Sequence, residues 1–367
     1  MRSRRRGPTT LGLPACLLFL VPLSLSALGG AELDEPYLSI RTGLRCSQCH
    51  VNRTGGGGRN DFGSMYAQTR LAMTKFAFFN RSLNRFIKVG GNFRVLASGT
   101  TSESTPRTEM GIREESVQLE ARVIEERLAF YVDQIVGPSS SFTREAFLLI
   151  EKLPLDGYLK AGKFLLPYGL RLVDDAEFIR ERTGFNYNTP DQGVEVGIEP
   201  APLSLFAAVT NGTQGGGENN SGKQITTSAA LIFPRARFGA SASRNDAPGT
   251  RRDVVGGFGG FGLGRFVFLG EFDYIFDKPR EGLSRGQFAA YLEGDFLAVP
   301  GLNLKATYGY LDPDRRIGEN ARTRFRLGLE TFPIQFLEVS AFYTLLEDIP
   351  QATTDLDRLS LELHVFF

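Results

Sequence analysis

The chain has 367 residues, 42 of them basic and 41 acidic, giving a formal net charge of +1. So even a balance argues against a nucleic-acid partner, which would need a basic face. Three cysteines are too few for a disulfide framework, and three cysteines with two histidines leave little for a structural zinc site of about four ligands.

Arg2, Arg4, Arg5 and Arg6 precede an apolar stretch from Leu11 to Leu28, and Gly29-Gly30-Ala31 places small residues where a signal peptidase cuts. Residues 1–31 therefore read as a signal for export. Removing them takes four arginines and no acids, leaving 38 basic residues against 41 acidic ones in the mature chain. Leu13-Pro14-Ala15-Cys16 imitates a lipidation box, but most of the apolar stretch follows Cys16 instead of preceding it.

Next comes Cys46-Ser47-Gln48-Cys49-His50. Two thiols separated by two residues and followed at once by an imidazole form the attachment site of a c-type haem. The thiols make thioethers with the porphyrin, and the tether brings His50 to the iron as an axial ligand. Residues 32–85 are therefore expected to form a monohaem module, short and mostly helical or irregular, condensed around the porphyrin. Thr54-Gly55-Gly56-Gly57-Gly58 lacks the Gly-Lys-Ser/Thr ending of a phosphate loop. It reads either as backbone brought close to the haem or as a flexible link. The apolar spacing over 61–79 predicts a helix carrying Met65 and Met73. These two and then His364 are, in that order, the candidates for the second axial ligand, alongside an open or water-ligated site.

From about Phe86 to Phe367 the pattern changes to period two. Phe266, Phe268, Phe272, Tyr274 and Phe276 share one face while Glu271 and Asp273 oppose them, and Leu359, Leu361, Leu363, Val365 and Phe367 oppose Ser360, Glu362 and His364. Seven tight links near 125, 153–156, 200–202, 234–235, 264, 299–300 and 333–334 alternate with eight longer ones at 100–113, 137–142, 168–190, 211–222, 245–250, 278–282, 312–320 and 347–357. The count gives an all-β fold: a transmembrane antiparallel β-barrel of about 16 strands in residues 86–367, both ends on the periplasmic side. Closure is required because hydrocarbon offers no water to an open sheet edge. Outer-membrane lipid is then one partner. By alternation Lys305, Arg324, Arg326, Glu330, Glu338 and Glu362 face the lumen.

Two resemblances accompany this reading. Gly162-Lys163-Phe164-Leu165-Leu166-Pro167-Tyr168-Gly169 and Ala208-Val209-Thr210-Asn211-Gly212 resemble strand ends of phosphate-selective porins of the porin O and P type, which carry a long loop after the first. The order of signal, Arg41-Thr42-Gly43-Leu44-Arg45 leading into Cys46, the Asn60-Asp61-Phe62-Gly63 stretch and then a barrel resembles the fused monohaem cytochrome-porins of the outer membrane. That resemblance implies one covalent haem c, electrons taken from an extracellular reductant such as Fe(II), and a periplasmic c-type cytochrome as acceptor. Asp174, Asp175, Glu177, Asp312 and Asp314 are hard oxygen ligands suited to Fe(II). The other classes of function are a solute or anion porin whose haem is structural, sensory or gating, and electron export to an outside acceptor.

Overall fold

The computed structural model describes residues 36–367 except 102–105, 139, 219 and 350–354. The signal and Cys16 lie outside the described residues.

Sixteen antiparallel strands, from β1 (Ile87–Thr101) and β2 (Arg107–Ile124) to β15 (Leu337–Ile349) and β16 (Leu356–Phe366), close into one barrel. Each pairs with its chain neighbours, and β1 meets β16 in register from Asn92 opposite Phe366 to Thr101 opposite Asp357. No sheet edge is left unpaired, as a lipid-embedded sheet requires. Phe266, Phe268, Phe272 and Phe276 of β11 (Phe266–Pro279) are exposed on the outer wall, whereas Glu271 and Asp273 of the same strand are buried inside. No described helix is long and apolar enough to cross a membrane.

Seven links at one end are short, at 125–127, 154–156, 199–202, 234–235, 264–265, 300–301 and 335–336. The other end carries 165–190 and 211–223 as its long segments. Several boundaries differ from the expected ones by a few residues, and three of them show why. β9 (Ala236–Ala247) and β10 (Thr250–Leu263) are joined by Pro248-Gly249 alone, because cross-strand pairing continues through Ala247 opposite Thr250 and polar residues near a rim pair as well as apolar ones. The same effect shortens the expected link at 100–113, since Thr100 already pairs with Arg107. The last tight turn falls at Gln335-Phe336, two residues later than Pro333-Ile334, where β14 (Ala321–Ile334) still pairs through Ile334 opposite Leu337.

Residues 36–72 fill the lumen at the short-turn end, and most of 73–85 is exposed. Tyr37, Leu38, Ile40, Cys49, Ala67 and Leu71 share one buried cluster with Phe258, Val267, Leu269, Tyr291 and Phe366 of the wall. The segment folds as α1 (Pro36–Thr42), α2 (Cys46–Cys49) and α3 (Asp61–Tyr66), followed by a π-helical turn over Ala67–Leu71. The helix expected over 61–79 therefore stops at Leu71. Beyond it the backbone bonds to the wall instead: Met73 N–H donates to the Phe332 carbonyl at 2.8 Å, and Phe76 N–H donates to the Gln335 side chain.

The segment 165–190 also folds inward. It carries α4 (Phe178–Glu181), its Tyr168 hydroxyl donates to Asp273 at 2.7 Å, and Arg180 pairs with Glu271. From there Glu177 reaches Arg324 at 2.7 Å and Asp174 reaches Arg326 at 2.5 Å. One loop thus spans the lumen above the N-terminal plug.

Candidate functional site

The two thiols and the imidazole meet in one cleft. Cys46 and Cys49 bracket a single helical turn whose C-cap is His50, with the His50 N–H donating to the Cys46 carbonyl at 2.9 Å. Asn60 fixes this turn to the next helix: its side chain accepts from Gly63 N–H at 2.9 Å and donates to the carbonyls of Ser47 at 3.2 Å and His50 at 3.3 Å. Gly63 is required where it stands, since a Cβ there would lie 2.0 Å from the Cys49 carbonyl oxygen. The Asn60-Asp61-Phe62-Gly63 stretch is thus the clamp that seats α3 on the Cys-X-X-Cys-His turn.

The glycine run is an ordered turn. Gly55, Gly56 and Gly57 all have positive φ, and the Val51 N–H donates to the Gly58 carbonyl at 2.9 Å. A Cβ on Gly55 would stand 3.3 Å from the Cys46 Sγ, so this backbone comes close to the thiol because it carries no side chains.

The residues just after His50 anchor the plug. Asn52 donates to Glu145 of β4 (Phe142–Leu153) at 2.6 Å and accepts from Lys160 of β5 (Gly157–Phe164) at 2.8 Å. Lys160, wholly buried, also pairs with Glu195 of β6 (Asp191–Ile198) at 2.9 Å. Arg53 pairs with Glu199 at 2.6 Å and Glu151 at 3.2 Å. Burial works against its charged form, but Glu199, Asp156 and Glu151 together raise its pKa. None of these partners was legible in the sequence; the only signal was that alternation puts Glu145, Lys160 and Glu195 on inward positions.

About 640 Å³ of space lies in and over this cleft, part of it open solvent at its mouth. Its lining joins Cys46, Cys49, His50 and Gly55 of the plug to Leu170, Arg171 and Tyr187 of the lumen loop and Arg237 of β9. Cys46 is partly exposed and Cys49 is buried. Two thiols, an adjacent imidazole, apolar leucines and a close glycine turn fit the donor set and the face of a covalent haem c.

The candidates for a second axial ligand lie elsewhere. Met65 and Met73 are exposed and line no part of this cleft. Met73 packs beside the turn at Gly301, where a Cβ would meet its Cγ at 2.6 Å. His364 faces the lumen as alternation predicts, but its ring sits 2.8 Å from Glu338 and 2.9 Å from Asn92 and is absent from the cleft. Nearness along the chain was a poor guide because the chain turns outward at α3.

On the other side of the loop is an open chamber of about 1350 Å³ lined by Arg94, Arg113, Asp174, Glu177, Arg324 and Glu362 among others. Gly169, Leu170 and Arg171 face the cleft, and the next residues, Leu172, Val173 and Asp174, face the chamber. The loop is therefore a thin wall between them. The carboxylates expected to suit Fe(II) do not converge: among the described residues no group of three or more His, Cys, Asp or Glu could hold a metal. Asp174 is instead held below the usual carboxylate range by Arg324 and Arg326 in spite of its burial, and Asp314 pairs with Arg316 at 2.8 Å.

Asp175 behaves differently. Burial pushes its carboxyl up to about 6, against the hydrogen bond from Tyr187 N–H at 2.9 Å. A raised carboxyl pKa means that stability is fully present at low pH and is lost as pH climbs through about 6. Asp175→Asn is accordingly expected to raise the melting temperature at pH 8 and leave it unchanged at pH 4. An equal gain at both values, in thermal melts of the detergent-solubilised protein, would contradict this assignment.

The closed barrel matches solved structures of outer-membrane porins. The chain has the porin fold. OmpT of Vibrio cholerae in its trimer form is 14% identical over 77% of this chain and 99% of that one, with a TM-score of 0.61. The anion-selective porin of Comamonas acidovorans is 10% identical over 77% and 99%, also at 0.61. The outer-membrane channel DcaP of Acinetobacter baumannii is 12% identical over 77% and 97%, at 0.58. No family model matches the chain, and no curated protein does.

Proposed function

We propose that this chain is an outer-membrane electron-transfer protein that carries one covalent haem c in the cleft between plug and loop. Cys46 and Cys49 hold the group and His50 ligates its iron; when bound, it supplies one-electron Fe(III)/Fe(II) chemistry. The carrying observation is that the two thiols, the imidazole and the lumen loop share one cleft whose far wall is the floor of an open chamber. The chamber admits an extracellular reductant such as Fe(II), each ion giving up one electron. The plug's other face, at the short-turn end, is where a periplasmic c-type cytochrome takes the electron. The chain's own task is positional: Asn52, Arg53 and Asn60 fix the Cys-X-X-Cys-His turn, and Leu170 shields it from the chamber.

A second reading, a solute or anion porin with a structural or gating haem, is favoured by the porin neighbours, one of them described as anion-selective. Against it, four of the chamber arginines are ion-paired: Arg94 and Arg113 with Glu362, Arg324 with Asp174 and Glu177, and Arg326 with Asp174.

Stopped-flow mixing with Fe(II) and planar-bilayer recording separate the two. Electron transfer predicts rapid appearance of the reduced haem spectrum and little conductance. Porin-like conductance with a haem that Fe(II) leaves oxidised would sink this proposal in favour of the second.

A further inference from the structure

The interior of this barrel is densely ion-paired. Arg144 meets Asp133 at 2.8 Å, Arg252 meets Asp277 at 2.9 Å, and Lys305 meets Glu330 at 2.8 Å. Arg171 and Arg237 break the rule. Among the described residues neither has a carboxylate within ion-pair distance, and both line the same cleft as Cys46 and His50.

What each does bond to is neutral. Arg171 donates to the Leu166 carbonyl at 2.7 Å and lies over the Tyr187 ring at 5.9 Å. Arg237 donates to Ser39 Oγ at 3.2 Å, approaches Cys46 Sγ at 3.7 Å and stacks near the Phe258 ring at 5.6 Å. The Nε of each is shut off from solvent with no acceptor among the described residues. A third cleft arginine, Arg45, is answered by Asp156 at 3.6 Å. Among the described residues no acid lines the cleft, and no carboxylate pairs with either guanidinium. Two partly buried guanidinium groups in one cleft, each bonded only to neutral partners, point to an anionic ligand with two separate acidic groups.

We infer that Arg171 and Arg237 bind the two propionate carboxylates of the haem proposed above, one from the lumen loop and one from the barrel wall. This rests on the haem reading and adds to it. The cofactor then ties three separate parts of the fold together: plug through Cys46 and Cys49, loop through Arg171, wall through Arg237. Arginine suits the task because its planar fork matches a carboxylate with two parallel hydrogen bonds. Positive charge beside the iron favours its reduced form, so these residues are also positioning groups that set the potential.

The test uses full-length protein matured with haem, bearing Arg171→Gln, Arg237→Gln, both together, or Arg237→Lys. Spectroelectrochemical titration at pH 8 should show a lower midpoint potential for each Gln variant. For the double variant the Fe(II)/Fe(III) ratio at a fixed potential should fall about tenfold, a shift of about 59 mV for one electron. Arg237→Lys, which keeps the charge, should restore most of the wild-type value. A role in packing alone would not separate Lys from Gln in this way. If the double variant retains covalent haem and titrates as wild type does, the propionate assignment is overturned while the haem reading stands. A wild-type chain without haem overturns both.

Discussion

Lys160→Met is expected to loosen the plug from its barrel and cost about 3–5 kcal/mol, the usual penalty for removing one partner of a buried ion pair. Lys160 is fully buried and is the cation shared by Glu195 at 2.9 Å and Asn52 at 2.8 Å, with the Phe164 ring 4.5 Å away. Among the described residues, its loss leaves Glu195 with the Tyr158 hydroxyl as its one side-chain partner, at 2.5 Å, and removes a donor from Asn52, two residues from His50. The barrel itself is closed by backbone pairing and should survive. The expected result is a lower melting temperature, faster protease cleavage within residues 36–85, and new conductance in bilayers as the lumen opens. Adding Glu195→Gln to remove the stranded charge should recover part of the loss. A single variant that melts within about 0.5 kcal/mol of wild type, the range of inconsequential surface changes, with its plug still protected, would show that this network does not hold the plug.

Cys46→Ser with Cys49→Ser is expected to abolish covalent haem altogether. The chain has only one other cysteine, Cys16, in the segment read as the signal, so cleavage of that segment would leave no substitute thiol. Haem staining of a denaturing gel should be lost, whereas heat-modifiable migration, the mark of a closed barrel, should persist because the strands do not depend on the plug for pairing. Single variants should keep one thioether and stain weakly. Staining that survives the double change would mean that the cleft residues do not hold the group.

The barrel was readable because its signal is local and repeated. In a strand such as 266–276 every second residue must meet lipid, so Phe266, Phe268 and Phe272 announce one face without knowledge of any partner. The Cys-X-X-Cys-His turn was readable for the same reason, since its chemistry needs five consecutive residues. What escaped notice is all non-local. Arg237 reaches Cys46 across 191 positions, Lys160 reaches Asn52 across 108, and Asn52 reaches Glu145 across 93. No periodicity encodes such pairs, and the inward folding of 165–190 leaves no mark beyond its length. The second-ligand candidates failed to reach the cleft for a related reason. Met65 and Met73 were chosen by nearness in sequence and an assumed helix to residue 79, but α3 gives way to a π-helical turn and the backbone then bonds to Phe332. His364 does face inward, yet Glu338 and Asn92 hold its ring where it stands.

The central claim is that a covalent iron porphyrin sits on Cys46 and Cys49. Intact-mass spectrometry of the detergent-purified protein, made in a bacterial host with a c-type maturation system, addresses it directly. The expected result is a single species heavier than the polypeptide by one haem, the addition mapping to the peptide that contains 46–50. A species at the bare polypeptide mass, from a host that loads a control cytochrome in the same cells, would contradict it.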